Sequence, residues 1–491
     1  IYRPNDRPNP HKGRPKTGVA RKHDLQPSSI LSGNGVVPSL IRSNPRMQGT
    51  AEPESKNPVR LAIDWVGGRP GRAFLILFAL SFSIQGFFLT KVSERSIRPH
   101  TRWELPAVAV SLAERGSFAD PYMLPTGPTA HLPPLPPAVS ALAYRVFGLT
   151  LTGGYVSWLV NMAIFASLWG MLPWLAGAMG LGGGVGVIAG VVGALIPGWP
   201  GHGEGMTALA LGLLMVAFVR RWMSGQRERL GSLLLGVASG IAFHIQPALL
   251  PVVVGWVAFE LWWSAGRGKW LHSALVTLGI VLACLPWGWR NYQTFDAVFF
   301  IRSNFGLELR MGNHDGAAAS MDVMDRQQEH FHPRTHEAEA QKLQAMGEVE
   351  YMREAGREAV EWIEANPGNF VKLTMSRMAH WWLGPLYYPP GLLLVTALTL
   401  LALAGAWLAF PTLAIPQRAG LLIPLLAYPL VYYLVAYMPR YRQPIDWLFL
   451  LLAGAAIWHG IMRRKGGFMA PGPEAREIAH GSPPSGVPAD H

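Results

Sequence analysis

The feature that most constrains the fold is a series of apolar segments that approach or reach the length needed to cross a bilayer. A membrane helix needs about 20 predominantly apolar residues to cross the hydrocarbon core. Half of the residues are hydrophobic (50%) and only 15% are charged. We therefore predict an all-α polytopic membrane protein with about ten transmembrane helices. The predicted spans are 73–90, 155–177, 183–197, 206–219, 230–245, 247–264, 270–287, 391–410, 419–437 and 445–462.

The positions of Lys and Arg predict how the chain is oriented. Residues 1–60 carry eleven Lys/Arg against four Asp/Glu, and basic segments next to a span are retained in the cytoplasm. Alternate connections then also face the cytoplasm, and they contain Arg220, Arg227 and Arg418. We expect the basic tail to contact membrane lipids and predict no nucleic-acid partner.

This topology divides the chain into five predicted parts. Residues 1–65 form a disordered basic cytoplasmic tail, and residues 466–491 form a second disordered cytoplasmic tail. Residues 66–287 are an N-terminal transmembrane region with an exterior loop at 91–154, and residues 391–465 are C-terminal transmembrane helices. Residues 288–390 form a small helical exterior domain. In it, Glu348–Ala365 carries an apolar face, and Pro367 can begin the next helix.

Two carboxylates in the loop 91–154 are candidate catalytic residues. Ionisable side chains are nearly absent from the middles of the predicted spans and concentrate at their exterior ends, where a lipid headgroup would lie. Glu104 follows the first span closely, and partial desolvation would favour its role as a proton acceptor. A salt bridge is the alternative for Glu104, and a turn is the alternative for Asp120 because Pro121 follows it.

Three arginines at the same predicted ends are candidates for binding a phosphate. Arg290, Arg440 and Arg442 are permanently charged, and guanidinium binds phosphate oxygens bidentately. The alternative for each is that the side chain extends to lipid headgroups. Further polar residues at these ends that can bind substrate are His131, Glu204, His244 and Asn291. The segment His330–Glu337 matches no zinc-binding spacing, so we predict a solvated loop there and no metal site.

At these residues the sequence resembles the GT-C superfamily of membrane glycosyltransferases, specifically the family 39 relatives of protein mannosyltransferases and the aminoarabinose transferase of lipid A. The resemblance covers the layout of residues 73–462. Locally it rests on Glu104 after the first span, Gly127–Ala130, Arg290–Tyr292, Ile301–Gly306, Gly312–Asn313 and Arg440–Arg442. These families often have an Asp-Glu pair where Trp103 and Glu104 stand, so the choice between Glu104 and Asp120 as the base stays open.

The resemblance implies a GT-C-like fold and transfer of a sugar from a polyprenyl-phosphate donor to a lipid, glycan or protein acceptor. No cofactor is expected, because the lipid-linked sugar is itself a substrate. One base suffices for a single displacement, so we predict inversion at the anomeric carbon. The expected location is a bacterial inner membrane with the active site on the exterior, periplasmic face. The alternatives are a lipid or solute transporter or flippase and a non-catalytic scaffold.

Overall fold

The computed structural model describes residues 58–196, 203–225, 227–266, 268–327 and 331–463. The tail predicted at 466–491, and all but the last eight residues of the tail predicted at 1–65, lie outside these residues. Throughout the described ranges the chain is helical and forms no β-strand. The predicted all-α class is therefore confirmed.

Eleven α-helices lie in the part of the described chain that precedes residue 300. They are α1 (Pro58–Gly67), α2 (Pro70–Leu89), α3 (Glu94–Ile97), α4 (Glu104–Arg115), α5 (Leu135–Phe147), α6 (Leu151–Ala178), α7 (Gly183–Leu195), α8 (Glu204–Ser224), α9 (Arg229–Phe243), α10 (Leu250–Trp263) and α11 (Gly268–Phe295). A 3-10 turn, Pro247–Leu249, leads directly into α10.

Eight α-helices follow in the described part of the remaining chain. They are α12 (Phe305–Gly312), α13 (Met321–Gln327), α14 (Glu337–Met346), α15 (Glu348–Ala365), α16 (Pro367–Leu383), α17 (Pro389–Ala409), α18 (Ile415–Ala427) and α19 (Gln443–Arg463). Three 3-10 segments interrupt this part of the chain: Phe410–Thr412, Tyr428–Tyr433 and Pro439–Tyr441.

Six helices among the described residues are long and apolar enough to cross a membrane, which supports an integral membrane protein. They are α2, α6, α8, α11, α17 and α19. The figure of about ten spans is not confirmed. Helix α7 has only 13 residues, and at 1.5 Å per residue such a helix covers about 20 Å of a hydrocarbon core about 30 Å thick. Helices α9 and α10 are similarly short, with 15 and 14 residues.

The predicted span 419–437 is not a continuous helix. Helix α18 ends at Ala427, and the chain continues as 3-10 helix over Tyr428–Tyr433. Pro424 lies inside α18 and Pro429 opens the 3-10 segment, and each proline removes a backbone donor from the helical ladder. The break lies shortly before Arg440 and Arg442, so it frees the chain to place these two residues independently.

Two further sequence predictions concern helix ends. Helix α11 continues through Pro286 to Phe295, so Arg290 and Asn291 lie inside a helix and not in the loop predicted after residue 287. The helix predicted at Glu348–Ala365 is confirmed as α15, and Pro367 opens α16 as predicted. On α15 Met352, Ala355 and Ala359 are buried, whereas Val360, which the pattern assigned to the same face, is exposed.

Glycines allow the membrane helices to pack closely. A Cβ atom at Gly186 of α7 would lie 2.4 Å from the carbonyl oxygen of Leu172 on α6, and one at Gly405 of α17 would lie 1.7 Å from that of Leu452 on α19. A Cβ atom at Gly236 of α9 would likewise lie 2.0 Å from the carbonyl oxygen of Val276 on α11. These contacts exclude any larger residue, as in many membrane helix interfaces.

Candidate active site

Arg440 marks a place where several charged residues of the described chain converge. It lies in the 3-10 turn before α19, and its side chain is exposed to solvent although protein atoms lie on most sides of it. Burial acts to lower its pKa, but Tyr441 and the carboxylates of Glu204, Glu104 and Glu308 outweigh this and raise the pKa.

The carboxylates of Glu104, Glu204 and Glu308 therefore lie within electrostatic range of Arg440, and we call these four residues the open charge cluster. Among the residues that the structure describes, none forms an ion pair or a side-chain hydrogen bond with Arg440, and its guanidinium lies over the ring of Tyr441. A guanidinium without a carboxylate partner retains its donors for an anionic ligand.

Glu104 is placed by the start of α4. Trp103 is extended and Glu104 is the first helical residue, a position where the helix dipole favours a carboxylate. Its side chain is 22% exposed, and Oε1 lies 3.8 Å from Nδ1 of His332. Glu104 is thus partly shielded, accessible to a ligand, and close to a residue more than two hundred positions later in the chain.

His131 and His332 come together beside Glu104. Their ring centroids lie 5.7 Å apart in an edge-to-face arrangement, and Tyr122 packs against His131 at 5.1 Å. The potential ligand atoms of Glu104, His131 and His332 all lie within 4.8 Å of one another. The sequence predicted His332 in a solvated loop, but its side chain is only 15% exposed. His330 lies outside the described residues.

His131 is held as a neutral imidazole. Burial lowers its pKa well below the ordinary value, and the charges of Arg302 and His332 act in the same direction. The side chain is 3% exposed and its Nδ1 has no hydrogen-bond partner. Arg302 contacts this residue through the backbone, since its Nε donates to the carbonyl oxygen of His131 over 2.7 Å.

Asp120 stabilises a turn, which the sequence analysis gave as the alternative to a catalytic role. Its backbone is left-handed, with φ of 58°. Oδ1 accepts hydrogen bonds from the backbone N–H groups of Thr126 at 3.0 Å and Gly127 at 2.8 Å, and Oδ2 pairs with Arg115. Both carboxylate oxygens are therefore engaged in holding the loop in shape.

Arg290 and Arg442 also have protein partners. Nη1 of Arg290 donates to the carbonyl oxygen of Thr129 at 2.8 Å, and Nη2 donates to that of Phe118 at 3.2 Å. Arg442 is 2% exposed, and its Nε lies 3.0 Å from Oδ1 of Asp446. Of the three arginines predicted to bind phosphate, the structure brings Arg440 alone to the open charge cluster.

Of the remaining residues predicted to bind substrate, one belongs to the open charge cluster and two have local partners. Glu204 opens α8 and belongs to the open charge cluster. His244 ends α9, where its Nδ1 is 2.8 Å from the carbonyl oxygen of Gly240. Asn291 is completely buried and accepts a hydrogen bond from Arg290. His244 and Asn291 therefore stabilise local structure.

Glu348 is a residue of this region that the sequence did not single out. It is the first residue of α15 and is buried. Its carboxylate accepts hydrogen bonds from Oγ1 of Thr129 at 2.5 Å, N of Ala130 at 2.7 Å and Oγ of Ser303 at 2.6 Å. Burial raises its pKa. Glu348 thereby fixes the loop that carries His131 to the helical segment that follows α11.

A mostly apolar cavity of about 430 Å³ borders the same loop. Its wall includes Phe118, Pro134 and Trp287, and Arg290 lies at its polar edge. Arg290 also stacks over Trp287, with 4.9 Å from the guanidinium carbon to the ring centroid. A cavity of this composition can accept an apolar group next to a polar headgroup.

Comparison of the sequence with protein-family models gave no match, and comparison with curated proteins gave no similar sequence.

Proposed function

We propose that this protein is a membrane glycosyltransferase that moves a sugar from a polyprenyl-phosphate donor to an acceptor hydroxyl. The observation that carries the proposal is the open charge cluster: Arg440, without an ion-pair partner in the described chain, lies within electrostatic range of Glu104, Glu204 and Glu308. A cation for a phosphate and a carboxylate for a hydroxyl proton are the two groups that such a transfer requires. The GT-C-like sequence features support the same reaction.

Glu104 is the preferred base. Its carboxylate is partly exposed, whereas both oxygens of Asp120 are already engaged by Arg115 and by backbone donors. In the proposed step Glu104 accepts the proton of the acceptor hydroxyl while that oxygen bonds to the anomeric carbon. The bond from the anomeric carbon to the lipid phosphate breaks, and the phosphate leaves with the electron pair. A single displacement of this kind inverts the anomeric carbon.

Arg440 stabilises the negative charge that grows on the departing phosphate. This interaction strengthens as the bond to the sugar breaks, so it lowers the barrier and not only the dissociation constant of the donor. Arg290 and Arg442 act through structure, because their guanidinium groups bond to backbone carbonyl oxygens and to Asp446. The apolar cavity lined by Phe118 and Trp287 is available to the first isoprene units of the donor.

The test measures transfer from radiolabelled polyprenyl-phosphate sugars to membrane acceptors by the full-length protein. Glu104→Gln preserves the size of the side chain and removes the base, so we expect transfer to fall by about 10² to 10⁴. Glu114→Gln is the matched control, because Glu114 is an exposed carboxylate on the same helix α4.

Equal loss of transfer in both variants would contradict the role of Glu104 as the base. Absence of transfer by the wild type over a broad panel of donors would overturn the proposal. The predicted location, a bacterial inner membrane with the site on the periplasmic face, is tested separately by labelling of single cysteines introduced beside the site.

A second candidate is a lipid or solute transporter. One observation favours it: the break between α18 and the 3-10 segment Tyr428–Tyr433 lies close to Arg440, and interrupted membrane helices often bind substrates in transporters. Lipid movement in reconstituted vesicles distinguishes the two functions. Movement without sugar transfer, abolished by Arg440→Gln, would favour the transporter.

A further inference from the structure

We propose that Glu104, His131 and His332 bind a divalent transition-metal ion, with Zn²⁺ as the best fit. These three residues, called here the His2Glu cluster, supply two imidazoles and one carboxylate. This donor set is typical of zinc sites that leave the fourth coordination position open for water or substrate. The proposal does not depend on the proposed function, because metal binding is measured without any sugar transfer.

The geometry of the cluster suits a metal ion after small side-chain movements. The potential ligand atoms lie within 4.8 Å of one another. Bonds of about 2.1 Å in a tetrahedral shell place ligand atoms about 3.4 Å apart. Nδ1 of His332 and Oε1 of Glu104 are already 3.8 Å apart. The widest pair needs to close by roughly 1.4 Å, which rotations of the partly exposed Glu104 and His332 side chains can supply.

His131 provides the independent sign of a ligand. It is almost fully buried, its Nδ1 has no hydrogen-bond partner, and its ring packs beside that of His332. A buried polar atom without a partner is unfavourable, so its retention calls for a compensating interaction. The buried hydroxyl of Tyr122 also lacks a partner and is attached to the ring that contacts both histidines.

Two local features limit the affinity. Arg302 and Arg334 lie near the His2Glu cluster, and their positive charges repel a bound metal ion. Their guanidinium groups are directed to backbone oxygens: Arg302 donates to His131, and Arg334 donates to Pro121 and Tyr122. In addition, Nδ1 of His332 accepts a hydrogen bond from the backbone N–H of Arg334 at 3.0 Å, which a metal at this nitrogen replaces.

The ligands come from three separate places in the chain: the start of α4, the loop before α5 and the segment before α14. A bound ion therefore fastens these parts to one another as well as presenting an open coordination position. It also takes one oxygen of Glu104 and leaves the other oxygen without a metal bond. Removal of the metal should then change the position of the proposed base.

The test uses the full-length protein in detergent with any affinity tag removed, stripped by a chelator and titrated with Zn²⁺ alone. We expect one Zn²⁺ per chain in the wild type. Loss of a direct ligand in His332→Ala should weaken binding by more than about 100-fold, since loss of outer-shell partners alone weakens it 10–100-fold. His336→Ala is the matched control, because His336 lies in the same segment, is exposed and is not in the cluster.

Co²⁺ gives a second readout that does not require a variant to fold. Substitution of Co²⁺ in the wild type should give the intense visible absorption of a four- or five-coordinate ion, and added Zn²⁺ should remove it. Zn²⁺ binding by His332→Ala equal to that of the wild type would overturn the proposal. So would a six-coordinate Co²⁺ spectrum, or no specific binding by the folded wild type.

Discussion

The charged residues at the two ends of helix α8 differ in whether they form ion pairs. Near its end, Arg221 bonds to both carboxylate oxygens of Glu260 on α10, with Nε at 3.2 and 3.0 Å and Nη2 at 2.9 Å. Trp222 and Arg227 complete this paired charge cluster, at 3.2 and 3.6 Å from the same carboxylate. At its start, Glu204 belongs to the open charge cluster, in which Arg440 has no ion-pair partner among the described residues.

The difference separates charges that hold the fold together from charges that are available for a ligand. Glu260 is 1% exposed, and Arg221 and Arg227 both form ion pairs with its carboxylate. A buried pair with this geometry is strongly destabilised when one member is removed. Exposed or partly exposed charges that interact at longer range, as in the open charge cluster, contribute little to stability. Their convergence in the open charge cluster is therefore better explained by binding or chemistry than by folding.

The largest expected effect is on the paired charge cluster. Glu260→Ala leaves Arg221 buried without a carboxylate, and we expect the free energy of unfolding to fall by about 3–5 kcal/mol. Thermal or denaturant unfolding of the purified protein in detergent measures it. Glu228→Ala is the control, since Glu228 is exposed nearby and its side chain makes no cap. Unfolding of Glu260→Ala at the wild-type temperature would remove the distinction between the clusters.

The second prediction has the opposite pattern, with a larger effect on activity than on stability. Arg440→Gln should lower sugar transfer by about 10² to 10³ through loss of charge stabilisation. The free energy of unfolding should fall by clearly less than in Glu260→Ala, because Arg440 interacts with the three carboxylates without an ion pair or a side-chain hydrogen bond to a described residue. Transfer rate and unfolding temperature are measured on the same preparation. A loss of stability as large as that of Glu260→Ala, with transfer retained, would make Arg440 a structural residue.

Glu348 lies between these extremes, because it is buried and hydrogen-bonded but forms no ion pair, and Arg290 interacts with it only at longer range. Burial raises its pKa above the ordinary value of 4.5, so the folded state favours the protonated form. Its contribution to stability is complete below about pH 4.5 and is lost as pH rises through the raised pKa. The stability of the wild type relative to Glu348→Gln should therefore decrease with rising pH.

Unfolding temperatures of both proteins between pH 4 and pH 8 test this expectation. A difference that stays constant over the range would show that the pKa of Glu348 is the same in the folded and the unfolded state, which contradicts this expectation.

The smallest effect is expected for Asp120→Asn. The amide oxygen still accepts from the backbone donors, and Asn tolerates the left-handed backbone that Asp120 adopts. The exposed pair with Arg115 is lost, which reduces the free energy of unfolding by less than about 1 kcal/mol. Sugar transfer should stay within about tenfold of the wild type. A loss as large as that expected for Glu104→Gln would transfer the role of base to Asp120.

The sequence predicted much of the helical framework because bilayer-length apolar runs and proline positions act locally. It identified Glu348–Ala365 and the start of α16 correctly. It did not reveal that the span 419–437 is broken, although Pro424 and Pro429 carried that signal. Nor did it show that α11 extends past Pro286, because a proline inside a helix and a proline at its end look alike in sequence.

The candidate site was harder to predict because its parts are distant in sequence. Glu104, Glu204 and Arg440 were recognisable from their positions at span ends. Glu308 carries no comparable signal, since it lies in a short amphipathic helix among other charged residues. The approach of His332 to Glu104 depends on tertiary contacts between two loops, and no local periodicity encodes it.

The hydrogen bond between Ala130 and Glu348 joins residues 218 positions apart. At a synthesis rate of about 5–20 residues per second, about 10 to 45 s pass between translation of these two residues. During that interval the loop containing His131 lacks its carboxylate partner, so this bond forms only after residue 348 has been synthesised. Nascent chains that stop before residue 348 should carry inserted helices and an unassembled loop, which makes the completed site a late product of translation.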